Sequence, residues 1–137
     1  MPTILCIDDV PQALFLRKSL LETNGYEVLT ACDGPDGIGL ARSHSVDAVL
    51  LDYDLPGMMG DEVAVVLKRE HPRVPIIVLT GYAWGVPEML LRISHGYVHK
   101  GDEPAVLLTV IEQVLKFRAK PMNPPKEQNK AGLNRIP

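Results

Sequence analysis

The feature that most constrains this chain is a set of short runs in which consecutive positions, not alternate ones, are apolar. "TILCIDD" (3–9), "DAVLLD" (47–52) and "VPIIVLT" (74–80) are almost wholly apolar up to a polar last residue. A strand that is apolar on both sides of its pleat must be covered on both faces, the situation of a parallel sheet held between helical layers. "YEVLTA" (26–31) and "YVHK" (97–100) supply two further strands.

Amphipathic segments fill the intervals. After the first run, "VPQALFLRKSLLETNG" places Ala13, Leu16 and Leu20 at helical spacing, with Pro11 suited to a first turn and Gly25 to a C-terminal cap. "GPDGIGLARS" reads as a helix weakened by Gly37 and Gly39, each costing about 1 kcal/mol relative to alanine. "GDEVAVVLKREH" has acidic residues in its first turn and basic ones near its end, matching the helix dipole, and Pro72 stops it. In "GYAWGVPEMLLRISHG", Gly85 and Pro87 delay a fourth helix to about residues 87–94, so it should be short or irregular. "DEPAVLLTVIEQVLKFR" closes the pattern, with Pro104 near its start and Val106, Val110 and Val114 along one stripe. Five strands alternating with five helices imply a doubly wound α/β fold with a five-stranded parallel sheet and helices on both faces.

The 137 residues, 46% of them hydrophobic, suffice for one core and one domain. No stretch approaches the roughly 18 to 20 apolar residues of a membrane helix, and the N-terminus lacks a signal-peptide pattern, so the expected location is cytoplasmic. Cys6 and Cys32 share no CxxC spacing and read as free thiols. The histidines at 44, 71, 95 and 99 have no metal-ligand spacing. The net charge is -3, but the segment from Ala119 onward carries four basic residues and one acidic, which leaves the body markedly acidic and argues against direct nucleic-acid binding. That segment (119–137), with four prolines and no period, reads as a disordered tail or linker stub after a domain spanning 1–118.

In an open parallel sheet, ligands sit beyond the carboxyl ends of the strands. Here the first strand ends in Asp8 and Asp9, the third in Asp52, the fourth in Thr80 and the fifth in Lys100. Connectivity sends these ends to one edge. Three clustered carboxylates repel one another unless a cation intervenes, and oxygen-only ligands favour Mg²⁺. Such a cation with a lysine and a hydroxyl around one carboxylate forms a phosphoryl-transfer site, with Asp52 as nucleophile.

From about residue 3 to 118, the chain resembles the receiver domain of two-component response regulators. "ILCIDD", "DAVLLDYDLPGM", "VLTG" and "YVHK" match, in order, that family's acidic pair, phosphoacceptor block, switch hydroxyl and lysine. The resemblance implies a flavodoxin-like sheet of strand order 2-1-3-4-5. It implies that Asp52 accepts a phosphoryl group from a histidine kinase or phosphotransfer protein, with slow self-dephosphorylation but no enzymatic turnover of a substrate. Asp8, Asp9 and Asp52, with the backbone carbonyl of Asp54, would hold Mg²⁺. Lys100 would pair with Asp52 and then with phosphoryl oxygens, while Thr80 and Tyr97 would switch inward. Output would pass to a downstream protein through the face of the fourth helix, fifth strand and fifth helix; a homodimer is compatible with the sequence.

Four positions differ from or qualify the family pattern. Gly101 stands where a proline, often in a cis bond, usually follows the lysine, which implies looser placement of Lys100. The interval from Thr80 to Lys100 is short and contains Pro87; Met59 occupies a position where an acidic residue is common; Gly81 after Thr80 is small, as phosphoryl access requires. Simpler roles also exist: Asp8 and Asp9 as helix caps, Thr80 as an ordinary strand-end residue, Tyr97 as a core tyrosine, Trp84 as packing or a partner anchor, and Met58 and Met59 as filler. Two other functions stay open. One is a receiver-like domain that does not accept phosphate. The other is an aspartate-nucleophile phosphatase resembling the haloacid dehalogenase-like family through "DYD", although Pro56 stands where that family wants Thr or Val.

Overall fold

The computed structural model describes residues 1–81 and 85–119. Five strands, β1 (Thr3–Ile7), β2 (Glu27–Ala31), β3 (Ala48–Asp52), β4 (Ile76–Thr80) and β5 (Gly96–His99), alternate with α1 (Pro11–Thr23), α2 (Gly34–Ser43), α3 (Gly60–Glu70), α4 (Glu88–Ile93) and α5 (Pro104–Ala119). All strand pairs are parallel, as the continuous apolar runs imply, and the order is β2-β1-β3-β4-β5, as the family resemblance implies. Trp84 and the segment from residue 120 lie outside the described residues.

The continuous apolar runs divide between two cores. Leu5, Ile7, Val49, Leu51, Ile76 and Val78 pack against Ile38, Ala41, Val63, Leu67 and Leu90 of α2, α3 and α4. Ile4, Cys6, Ala48, Leu50, Ile77 and Leu79 pack against Leu14, Leu21, Leu107, Ile111 and Val114 of α1 and α5. The three central strands are therefore apolar at every position but their polar ends, because each successive side chain enters one layer or the other. Cys6 belongs to the second core, where burial pushes its thiol up to about 12, and both cysteines are free.

Two helices turn differently from the sequence expectation. In α1 the sheet-facing stripe is Leu14 and Leu21; Ala13 and Leu20 are half-buried and Leu16 is 60% exposed. In α5 it is Leu107, Ile111 and Val114, with Val106 41% exposed. Both helices carry apolar residues around more than one face, so a stripe at helical spacing does not identify the buried side. Steps of four also overshoot the 3.6-residue turn, and Val106 rotates out while Val114 stays in. Val110 still packs near Gly96 at the edge of β5.

The α2 glycines divide as well. A β-carbon at Gly37 would collide with Ile7 Cδ1, whereas one at Gly39 would meet nothing within 4 Å. Gly37 thus lets α2 approach β1, offsetting its poor helix propensity with close packing. Asp33 caps this helix through Asp36 N–H. As expected, α4 is only six residues long.

The α1 orientation has a direct test. Leu14→Ala should lower unfolding free energy by about 2–4 kcal/mol, and Leu16→Ala by no more than about 0.5 kcal/mol, in denaturant titrations.

Candidate functional site

Strand alternation carries beyond the last ladder pairs. Ile4 and Cys6 face α1 and α5, so Asp8 follows them; Ala48 and Leu50 do so in β3, and Asp52 follows them. Ile7 is level with Leu51, which sets the two carboxylates side by side one residue further on. Val98 faces the same layer and brings Lys100 to that side. Asp8 is 0% and Asp52 1% exposed. These are the buried ends of otherwise apolar strands.

Their charge is met by cations. Lys100 Nζ lies 2.9 Å from Asp52 Oδ2 and 3.3 Å from Asp8 Oδ2. Asp8 Oδ1 accepts from Val10 N–H at 3.0 Å, and Asp52 Oδ1 accepts from Asp54 N–H at 3.3 Å. Arg17 donates from Nη1 to Asp8 Oδ2 at 3.2 Å. The acidic pair is therefore not a conventional helix cap: Val10 occupies the N-cap of α1 and makes no side-chain capping bond.

Lys100 is well tied despite Gly101. Its N–H donates to Thr80 O at 2.8 Å, which fixes the chain at the end of β5 to the end of β4. The turn beyond it closes through Gly101 N–H to His99 Nδ1 at 3.1 Å, Asp102 N–H to His99 O at 3.0 Å, and His99 N–H to Asp102 Oδ2 at 3.2 Å. The looser placement expected from the missing proline is not found. Side-chain and backbone bonds replace ring rigidity.

The loop after Asp52 is held by Gly60. Its N–H donates to Tyr53 O at 3.0 Å, and a β-carbon there would lie 2.7 Å from Tyr53 Cα and 2.8 Å from Asp52 O. Only glycine lets the start of α3 reach the backbone directly behind Asp52. Glu62, in the first turn, accepts from Met59 N–H at 3.3 Å.

Carboxylate oxygens of Asp8, Asp9 and Asp52 come within 4.8 Å of one another, the one such group of potential metal ligands among the described residues. Asp9 is exposed, which leaves the cluster open to solvent on that side. An all-oxygen donor set with an exposed member suits a hard divalent cation that keeps several waters. The side chain of Asp54 is exposed and outside this group. Thr80 is 1% exposed, and Tyr97, level with Val78, is 36% exposed. By alternation both belong to the α4 side of the sheet, opposite the carboxylates.

Protonation follows from these contacts. Burial pushes the Asp52 carboxyl up to about 6, and Asp8 adds to it; Lys100 and Asp54 N–H do not offset the two. For Asp8, burial works in the same direction, but Val10 N–H, Lys100 and Arg17 together outweigh it and hold the carboxyl below its usual value. Lys100 is opposed by its own burial, yet Asp52 and Asp8 keep its ammonium above the ordinary range. The site thus holds one firmly ionised carboxylate beside a more basic one.

A buried carboxylate at a strand end thus stands beside a lysine and two further carboxylates, and residues 4–112 match the family model described as the response regulator receiver domain. The chain belongs to that family. The receiver is 32% identical over 123 residues to the protein PilH of Pseudomonas aeruginosa, covering 84% of this chain and 98% of PilH. It is 37% identical over 118 residues to the probable transcriptional regulatory protein TcrX of Mycobacterium tuberculosis, covering 85% of this chain and 48% of TcrX. Among solved structures, a CheY-like receiver domain protein from Methanospirillum hungatei superimposes with a TM-score of 0.82 at 29% identity, covering 86% of this chain and 96% of that one. The response regulator TrrA of Thermotoga maritima, solved in complex with Mg²⁺-BeF, gives 0.79 at 31% identity, covering 83% and 99%.

Arg17 was not legible as part of the receiver's site. Its signal is a charged residue at the helical step between Leu14 and Leu21, on the stripe that turns out to face the sheet.

The raised Asp52 carboxyl has a stability consequence. A carboxyl whose folded pKa exceeds its unfolded value penalises folding once both states are ionised, and the penalty disappears as pH falls through the window from about 6 to about 4. Without Mg²⁺ at pH 7.5, Asp52→Asn should therefore be more stable than the wild type by about 1–3 kcal/mol. Thermal melts across pH should show that gap shrinking below pH 6; a gap that is absent at pH 7.5, or constant with pH, contradicts the assignment.

Proposed function

We propose that Asp52 is the phosphoacceptor of a phosphorylation-switched signalling receiver, supplied by the phosphohistidine of a histidine kinase or phosphotransfer protein. The observation that carries this reading is a carboxylate, 1% exposed, at the end of a central strand, 2.9 Å from Lys100 and within reach of two further carboxylates. In the transfer, a carboxylate oxygen of Asp52 bonds to phosphorus as the donor P–N bond breaks, and the donor imidazole leaves with the electron pair. Lys100 stays beside the acceptor and neutralises charge on the phosphoryl oxygens.

Asp8, Asp9 and Asp52, with the Asp54 carbonyl, would hold Mg²⁺, which supplies charge neutralisation at the phosphoryl group when bound. The 31% identical TrrA, solved with Mg²⁺-BeF, supports the assignment. Thr80 would donate its hydroxyl to the phosphoryl group, and Tyr97, exposed in this state, would turn inward with it. A phosphoryl group adds roughly 1.5 to 2 negative charges and three acceptors, enough to bias such a two-state element. The receiver unit would span residues 1–118. Met89 and Leu91 on α4, Tyr97 on β5 and Val106 on α5 are exposed apolar residues, which supports this face as the contact for a downstream protein.

A phosphatase reading is disfavoured: the exposed Asp54 side chain is not oriented as an acid/base partner by any hydrogen bond among the described residues. Among those residues no helix is long and apolar enough to cross a membrane.

Intact-mass spectrometry after incubation with acetyl phosphate and Mg²⁺ tests the proposal. Wild type should gain a single phosphoryl group, dependent on Mg²⁺ and absent from Asp52→Asn. A folded wild type with no adduct, and no response to beryllofluoride, would instead identify a receiver-like scaffold that signals without phosphate.

A further inference from the structure

Arg17 stands where a helix facing an apolar sheet would ordinarily present another aliphatic residue. Its neighbours on that stripe, Leu14 and Leu21, are 5% and 0% exposed, and its own side chain is 13% exposed. A guanidinium so covered requires an anion, and Asp8 Oδ2, at 3.2 Å, is the anion it meets. Lys100 Nζ touches the same oxygen at 3.3 Å, while Val10 N–H takes Oδ1 at 3.0 Å. Both oxygens of Asp8 are thus engaged within the protein. Oδ1, with one N–H on it, keeps a lone pair free, so a metal ion at Asp8 would meet the two cations across the same carboxylate.

Charge leads to the same point. Three carboxylates face Lys100 and Arg17, which leaves one net negative charge; without Arg17 there would be two. We propose that Arg17 is a positioning residue that holds Asp8 in the metal-free receiver and keeps the affinity of the acidic cluster for Mg²⁺ low. The inference rests on the reading that this cluster holds Mg²⁺. It makes phosphoryl acceptance depend on the free Mg²⁺ concentration, because the ion must enter against the positive charge of a side chain already paired to one of its ligands. Arg17 touches neither the acceptor carboxylate nor, on this reading, the phosphoryl group, and acts through Asp8.

The test is titration of Mg²⁺ into the metal-free full chain by calorimetry, with thermal melts at zero and saturating Mg²⁺. Arg17→Met should bind Mg²⁺ about tenfold more tightly than wild type, since one opposing charge is gone at short range. Its metal-free Tm should fall, because Asp8 loses a buried partner, and saturating Mg²⁺ should narrow that difference. Arg17→Gln, which keeps a donor without the charge, should tighten binding in the same direction and serves if Arg17→Met does not fold. Arg17→Lys, which keeps the charge, should stay within about twofold of wild type. Equal or weaker Mg²⁺ binding by folded, uncharged variants overturns the role of Arg17 while leaving the metal site standing. Absence of Mg²⁺ binding by wild type overturns the metal assignment and this inference together.

Discussion

Two carboxylates withdrawn from water at adjacent strand ends are the constraint on which the rest of this receiver depends. Asp8 and Asp52 are costly groups in that position, and the molecule around them is arranged to supply compensation from separate parts of the chain. Lys100 arrives from the end of β5, Arg17 from the middle of α1, and backbone N–H groups from Val10 and Asp54. Each depends on the parallel sheet bringing distant segments to one edge. The compensation is also incomplete at Asp52, whose carboxyl stays above its usual value, so the site is left short of positive charge.

The parallel order explains how chemistry and surface are divided. The alternation of the pleat gives Asp8, Asp52 and Lys100 to the α1 and α5 layer, and Thr80 and Tyr97 to the α4 layer. The end of the sheet is the place where the two layers meet without a wall of apolar side chains between them. A change in charge at Asp52 therefore lies one strand position from groups that border the opposite layer, through the adjacent β4.

Much of this was legible in the sequence, for a definite reason. A run such as "AVLLD" admits few environments, and a carboxylate at its end can be tolerated only at the rim of the core, so strands, sheet edge and acidic cluster follow from residue type and order alone. What was hidden depended on rotation and on neighbours remote in sequence. Phe15 and Leu16 make α1 apolar on a face that meets solvent, which concealed Leu14, Leu21 and, between them, Arg17. Gly37 and Gly39 look alike as helix-weakening residues, and only the position of Ile7 distinguishes them. Gly101 removed an expected rigid residue, yet the ties between His99, Asp102 and Thr80 that hold Lys100 in place cannot be inferred from a single substitution.

The brevity of α4 has an energetic consequence. Its six residues contribute one fully buried side chain, Leu90, where α3 contributes Val63, Ala64 and Leu67 besides Gly60. Opening of a segment costs what its buried contacts and protected amides are worth, so α4 forms the shallowest cooperative unit on its side of the sheet. Amide hydrogens there would exchange through local opening long before the central strands unfold. The receiver thus sets a charge-paired rim beside a helix held by few buried side chains, and the energy needed to open that helix is correspondingly small.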